Sequence, residues 1–174
     1  MVTSTVPAAA GVLKGYLDTV ANANPNLNVG TSIGLPIGAT KNNLMMVGDY
    51  DTGVLIHPTT YSWAAIPGST KMRSESYTLL GAIQCAGGEG GNAAGLARLN
   101  DAYTLLGGLM DQIASDPAGL GGATDGSTPL SPSGSWGDLT VSMYANSPRE
   151  QAGWGVVLTF ELAVINAQLI STDN

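Results

Sequence analysis

Any chemistry in this chain would have to come from a short set of side chains. His57 is the single histidine and Cys85 the single cysteine. His57 precedes Pro58 in a stretch without a regular apolar period, and no second histidine or cysteine stands at metal-ligand spacing. It reads as a surface or packing residue. Cys85 falls inside an alternating apolar run with no base or positive neighbour to lower its pKa, so it reads as a small buried hydrophobe, not a nucleophile. A lone cysteine also excludes an internal disulfide framework.

Serine chemistry would need a strained nucleophile turn. Residues 133–137 (Ser-Gly-Ser-Trp-Gly) come near such a motif but lack its spacing. The glycine cluster at 87–91 joins a predicted strand to a predicted helix, as a phosphate loop would. It lacks the Lys-Ser/Thr that follows such a loop, and Glu89 would repel a phosphate. Glu75 and Glu161 could form an acid/base pair if neighbouring strands brought them face to face. Arg73 beside Glu75 suggests an ion pair instead. No catalytic constellation, cofactor site or metal-ligand set emerges, so a non-enzymatic role is expected. Tyr61, Trp63, Trp136 and Trp154 stand in or beside predicted loops, where aromatics serve either as core or as interface anchors. With Arg73 and Glu75 they are the candidate subunit or partner interface.

The elements that must position these residues follow from apolar spacing. Pro7 suits a first helical turn, and Ala10, Leu13, Leu17 and Val20 recur at helical spacing, predicting a helix over 7–23 that Pro25 closes. A glycine- and proline-bearing stretch covers 26–39, and Leu44 to Val47 predict a short strand. Residues 50–72 read as a long loop. Residues 74–86 alternate, with Tyr77, Leu79, Gly81, Ile83 and Cys85 on one face. The spacing of Leu96, Leu99, Tyr103, Leu106, Met110 and Ile113 predicts a second helix with these residues as its core stripe, capped by Asn92 and ended at Asp116-Pro117. Residues 119–137 form a second long loop. Leu139, Val141 and Met143 predict a strand, and 154–169 alternate for an unusual length, with Val156, Leu158, Phe160, Leu162 and Val164 on one face. Part of that long strand is expected to pair with a neighbouring subunit. The fold class is α+β: a two-layer sandwich in which two helices pack on a mostly antiparallel or mixed sheet of about four to five strands.

Bulk properties narrow the class further. The 174 residues make one ordinary domain, and 44% hydrophobic residues suffice for a core. Only 11% are charged, against about 25% in typical soluble domains. Such a surface is built from Gly, Ser, Thr, Asn and Ala, or is partly covered by partners. The net charge of −7 comes with six scattered basic residues, too few for a phosphate-tracking patch. An acidic surface would let nucleic acid slide past without binding. The first ten residues lack the basic region of a secretory signal, and no run of 18 apolar residues suggests a membrane span.

The layout then resembles a family, the tail terminator (tail completion) proteins of long-tailed bacteriophages. The resemblance covers residues 7–170. A helix over 7–23 precedes a short strand with Val47-Gly48. Arg73-Ser-Glu75-Ser-Tyr77 is similar to the family's Arg/Glu-Glu-x-Tyr lead into a strand. The helix over 92–115 runs into Asp-Pro-Ala-Gly-Leu-Gly-Gly (116–122), similar to the segment after the family's second helix, and 155–169 resemble its closing strand. The length and glycine content of 119–137 depart from the family. The resemblance implies a virion protein, assembled in the host cytoplasm, that forms a homo-oligomeric ring, a hexamer. The ring would cap the tail tube, stop its polymerisation and meet a head-side connector protein. The genome would pass through the lumen without specific binding, and no membrane or catalytic residue would be involved. A tail tube subunit or head-tail connector of the same architecture, a small hydrolase using an acidic pair, and a carbohydrate-binding module on the loop aromatics are the alternatives.

Overall fold

The computed structural model describes residues 4–34, 41–65, 71–87, 92–116, 134–146 and 155–171. Two α-helices, α1 (Val6–Ala23) and α2 (Asn92–Ser115), lie on one face of a six-stranded mixed sheet. The strands are β1 (Val29–Ile33), β2 (Asn43–Val47), β3 (Thr60–Ala65), β4 (Lys71–Ala86), β5 (Ser135–Asn146) and β6 (Gly155–Ser171). The order is β1-β2-β4-β6-β5, with β3 also paired to β4. Among the described strands only β1 and β2 run parallel. This is the expected α+β sandwich with a slightly larger sheet.

The two added strands lie in segments that read as irregular. β1 falls within 26–39 and β3 within 50–72. The latter segment is not a free loop: β2, a bridge at Ile56↔Leu79 and β3 follow one another along the same side of β4. Between β2 and the bridge the chain makes one tight excursion. Asp49 accepts the amides of Asp51 and Thr52 (2.8 and 3.1 Å), and Gly53 takes a positive φ of 70°. Such pairing is invisible to a search for alternation, because Gly53, Pro58 and the short strand lengths break the period. The predicted loop at 119–137 lies mostly outside the described residues, although Ser135–Gly137 already belong to β5.

Alternation in the two long strands is as the sequence reads. Val156, Leu158, Phe160, Leu162 and Val164 face the helices with Tyr77, Leu79, Ile83 and Cys85. Near one end the register slips: Tyr77 pairs Val164 and Glu75 pairs Ala167, so β6 carries an extra residue there. Ala167 then returns to the buried face. A second irregularity at Gly137-Asp138 puts both Trp136 and Leu139 on the helix side of β5.

α1 buries Ala9, Ala10, Leu13, Leu17 and Val20, close to its expected stripe. Its small residues bring it near the sheet, and Val20 abuts Gly108 of α2, where a Cβ would approach within 2.9 Å. α2 is turned from its expected stripe. It buries Ala102, Leu105, Leu106 and Leu109, while Leu96, Tyr103 and Met110 are exposed. The small Ala102 and Gly108 let this other face sit against the sheet and α1, a preference that a count of large apolar residues overlooks.

Candidate assembly surface

Among the described residues Glu75 is a fully buried charged group, 0% exposed. β4 delivers it to the helix-side face beside the start of α1. Arg73, two residues earlier on the same face, donates to Oε1 at 2.8 Å. Oε2 accepts the Thr5 amide and hydroxyl, each at 2.7 Å, and the Ser4 hydroxyl at 3.0 Å. Because the Thr5 hydroxyl gives its hydrogen to Glu75, the 3.0 Å contact with Tyr77 must be donated by the tyrosine. Burial, reinforced by the nearby Glu75 charge, holds the Tyr77 phenol well above its ordinary pKa.

These contacts do the work of a helix cap. Thr5 makes no side-chain cap of its own, and α1 has no acidic residue in its first turn. The Glu75 carboxylate, supplied from the sheet, satisfies an orphan amide and faces the positive end of the helix dipole. It is therefore enclosed within the chain, not presented at its surface.

The acid/base alternative fails on geometry. Glu75 lies opposite Ala167 on the helix side, whereas Glu161 lies opposite Leu80 on the other face. Glu161 instead meets His57 at 3.3 Å, with both side chains about half exposed. A solvated pair of this kind is worth little, about 0–1 kcal/mol. Cys85 is sealed in the core, and burial, with a further push from Asp101 that Arg98 partly offsets, moves its thiol up to about 12. It is no nucleophile at neutral pH.

Gly30-Thr-Ser-Ile-Gly34 carries the full Gly-x-Ser-x-Gly spacing that residues 133–137 lack. Ser32 there lies within β1 and donates to the Gly34 carbonyl at 3.2 Å, in a strand rather than a strand-to-helix elbow. No cluster of three metal-ligating side chains occurs among the described residues, and none of their helices is long and apolar enough to cross a membrane.

Protonation of Cys85 gives a pH-dependence with a definite sign. The native state keeps this proton up to about pH 12, while an unfolded cysteine loses it near pH 8.5. The native chain then binds more protons than the unfolded one, so stability falls as pH rises through that window. The slope approaches about 1.4 kcal/mol per pH unit, and Tyr77 adds to it above about pH 10. Urea midpoints measured between pH 7 and 11 should decline, and Cys85→Ala should flatten the first part of the decline. An unchanged slope in that variant would refute the assignment.

Of the sequence-predicted interface residues, β3 and β4 bring four together. Tyr61 pairs Glu75 and Trp63 pairs Arg73 across the strands, so all four share the helix-side face. The Arg73 guanidinium lies 5.5 Å from the Tyr61 ring centroid, and the Tyr61 and Trp63 rings meet edge-on at 6.1 Å. Arg73 thus links the buried carboxylate to an aromatic pair in solvent: Trp63 is 64% exposed and Tyr61 50%. Trp136 belongs elsewhere. It is 9% exposed on β5, edge-on to Tyr16 and donating to its hydroxyl at 3.4 Å, and so contributes to the core. Trp154 lies outside the described residues.

A second apolar area was not anticipated. Leu96, Tyr103 and Met110 recur every seven residues along α2, on the flank turned away from Gly108 and thus from α1. The helices bear mainly on the other strands, α1 on β1 and β2 and α2 on β4 and β6. The helix-side residues of β5 beyond Trp136 therefore lie past the helix layer. Leu139 and Val141 are partly covered, and Met143 is exposed. The signal was present in the sequence as two overlapping apolar stripes on α2, of which a helix can turn only one to its own core. Compared with protein-family models and with curated proteins, the sequence matches none of them.

Proposed function

We propose that this chain is a non-enzymatic structural subunit that assembles with copies of itself and, following its resemblance, that it is a tail terminator of a long-tailed phage. On this reading a ring, a hexamer, caps the tail tube and ends its polymerisation. It then offers its other side to a head-side connector protein in the virion.

One observation carries the assembling role. Large apolar side chains are exposed at two opposite edges of one sheet: Tyr61 and Trp63 on β3, and Met143 with the α2 flank beside β5. Two different patches favour a head-to-tail contact over a two-fold one, and head-to-tail contacts that close by rotation make rings. The scarcity of charge agrees with surface destined for burial, and the net charge of −7 suits a wall past which a genome slides. The assignment to tail termination rests on the resemblance.

Native mass measurement and electron microscopy of the full chain test both levels. Closed rings of uniform size are expected. Long open tubes would move the assignment to a tube subunit, and a monomer at high concentration would end the assembling reading.

A further inference from the structure

We infer that β3 of one copy pairs antiparallel with the free edge of β5 in the next, seating Tyr61 and Trp63 in the trough between β5 and α2. This rests on the assembling reading and names the contact that reading requires.

The β5 edge calls for a strand. It is the last strand of the sheet, twelve residues long, with no partner on its outer side among the described residues. Unpaired amides and carbonyls along such an edge are a template for another chain, and proteins protect edges with lysines, prolines or short strands. β5 contains no lysine or proline, and Asp138 is its single charge. An extended segment satisfies this row of backbone groups.

The β3 arm of a second copy fits for reasons of direction, face and filling. β3 and β6 are both antiparallel to β4, and β5 is antiparallel to β6. With the sheet continued in the same orientation, β3 of the next copy therefore meets β5 antiparallel. Its Tyr61 and Trp63 then project on the helix side, the side of Leu139, Val141 and Met143. There they reach the flank of α2 carrying Leu96, Tyr103 and Met110. A single contact thus covers six of the exposed large apolar residues, with two aromatics as anchors of the kind that dominate interfaces. β3 pairs with one end of β4, and β5 with the part of β6 alongside the other end. The junction is accordingly staggered, as closure of a tilted sheet requires.

Cross-linking tests the pairing. Ser62 and Ser142 are exposed and alternate with the residues that face the trough, so both lie on the outer face of their strands. Cys85 is buried, leaving engineered cysteines as the reactive thiols. Under mild oxidation Ser62→Cys/Ser142→Cys, or Ser62→Cys/Thr140→Cys for the alternative register, should give a ladder of covalent multimers on non-reducing gels. Each single variant should give none. Trp63→Glu, an exposed site that leaves folding intact, should weaken self-association at least about 30-fold. Covalent dimers from Ser142→Cys alone would reveal a two-fold β5 contact and overturn the inference. So would an oligomer that survives Trp63→Glu and forms no ladder in either double variant, while leaving the assembling reading standing. A monomeric unmodified chain would remove that reading itself.

Discussion

Replacing Glu75 by alanine should lower folding stability by about 3–5 kcal/mol, the cost of breaking a buried, hydrogen-bonded ion pair by removing one partner. The Thr5 amide and hydroxyl lose their acceptor in a site closed to water, and Arg73, with a quarter of its side chain exposed, loses its ion pair with Glu75. Orphaned buried donors cost about 1–3 kcal/mol each, although relaxation and water entry keep these costs from adding in full. The first turn of α1 also loses the negative group at its positive end. Arg73→Ala should cost less, because the four hydrogen bonds from Ser4, Thr5 and Arg73 to Glu75 fall only to three. Urea denaturation of Glu75→Ala, Glu75→Gln and Arg73→Ala checks the order. Glu75→Gln should fall between the other two, since its amide oxygen can still accept from Thr5 while its NH₂ cannot pair with Arg73. Glu75→Ala within 1 kcal/mol of the unmodified chain would show that the carboxylate does not hold α1 in place.

This carboxylate illustrates where sequence reasoning reaches and where it stops. Alternation in β4 assigned Tyr77, Leu79, Ile83 and Cys85 to one face correctly, because burial selects apolar residues with period two. The same period, extended back to Glu75, would have put a charge in the core, which burial energetics forbid without partners. The partners include Ser4 and Thr5, about seventy residues away in the chain, and no local pattern points to them. Arg73 beside Glu75 did signal an ion pair, but not that it would be sealed by a helix start. α2 exposes a different limit. Its seven-residue stripe is real, yet the face turned to the core is the one with Ala102 and with Gly108 beside it, since close packing between layers selects for shape as well as hydrophobicity. Of the candidate surface, Tyr61 and Trp63 stand out in the sequence as aromatics suited to either core or interface, while the trough proposed opposite them emerges only when β5 is seen to lie beyond the helices.

The same demand for shape makes Gly81 the site of the second large effect. Gly81 faces Phe160 across β4 and β6, and the ring of Phe160, the single phenylalanine of the chain, lies directly over it. A Cβ at Gly81 would overlap the ring, with even the Cε1 atom only 2.7 Å away. Alanine normally favours a strand interior over glycine, by about 0.5–1 kcal/mol. Here that gain is outweighed, because overpacking a rigid core costs about 1–3 kcal/mol and sometimes more, and this ring is enclosed on all sides. Gly81→Ala should therefore lose about 3 kcal/mol net. Phe160→Ala should lose about 3–5 kcal/mol for the opposite reason, the cavity it leaves. The two defects are complementary, so the double variant Gly81→Ala/Phe160→Leu should be more stable than the sum of its single variants, with a coupling of about 1–3 kcal/mol. A double-mutant cycle read by chemical denaturation decides the matter. Strict additivity would mean that the ring can swing aside and that the glycine is there for some other reason than to admit it.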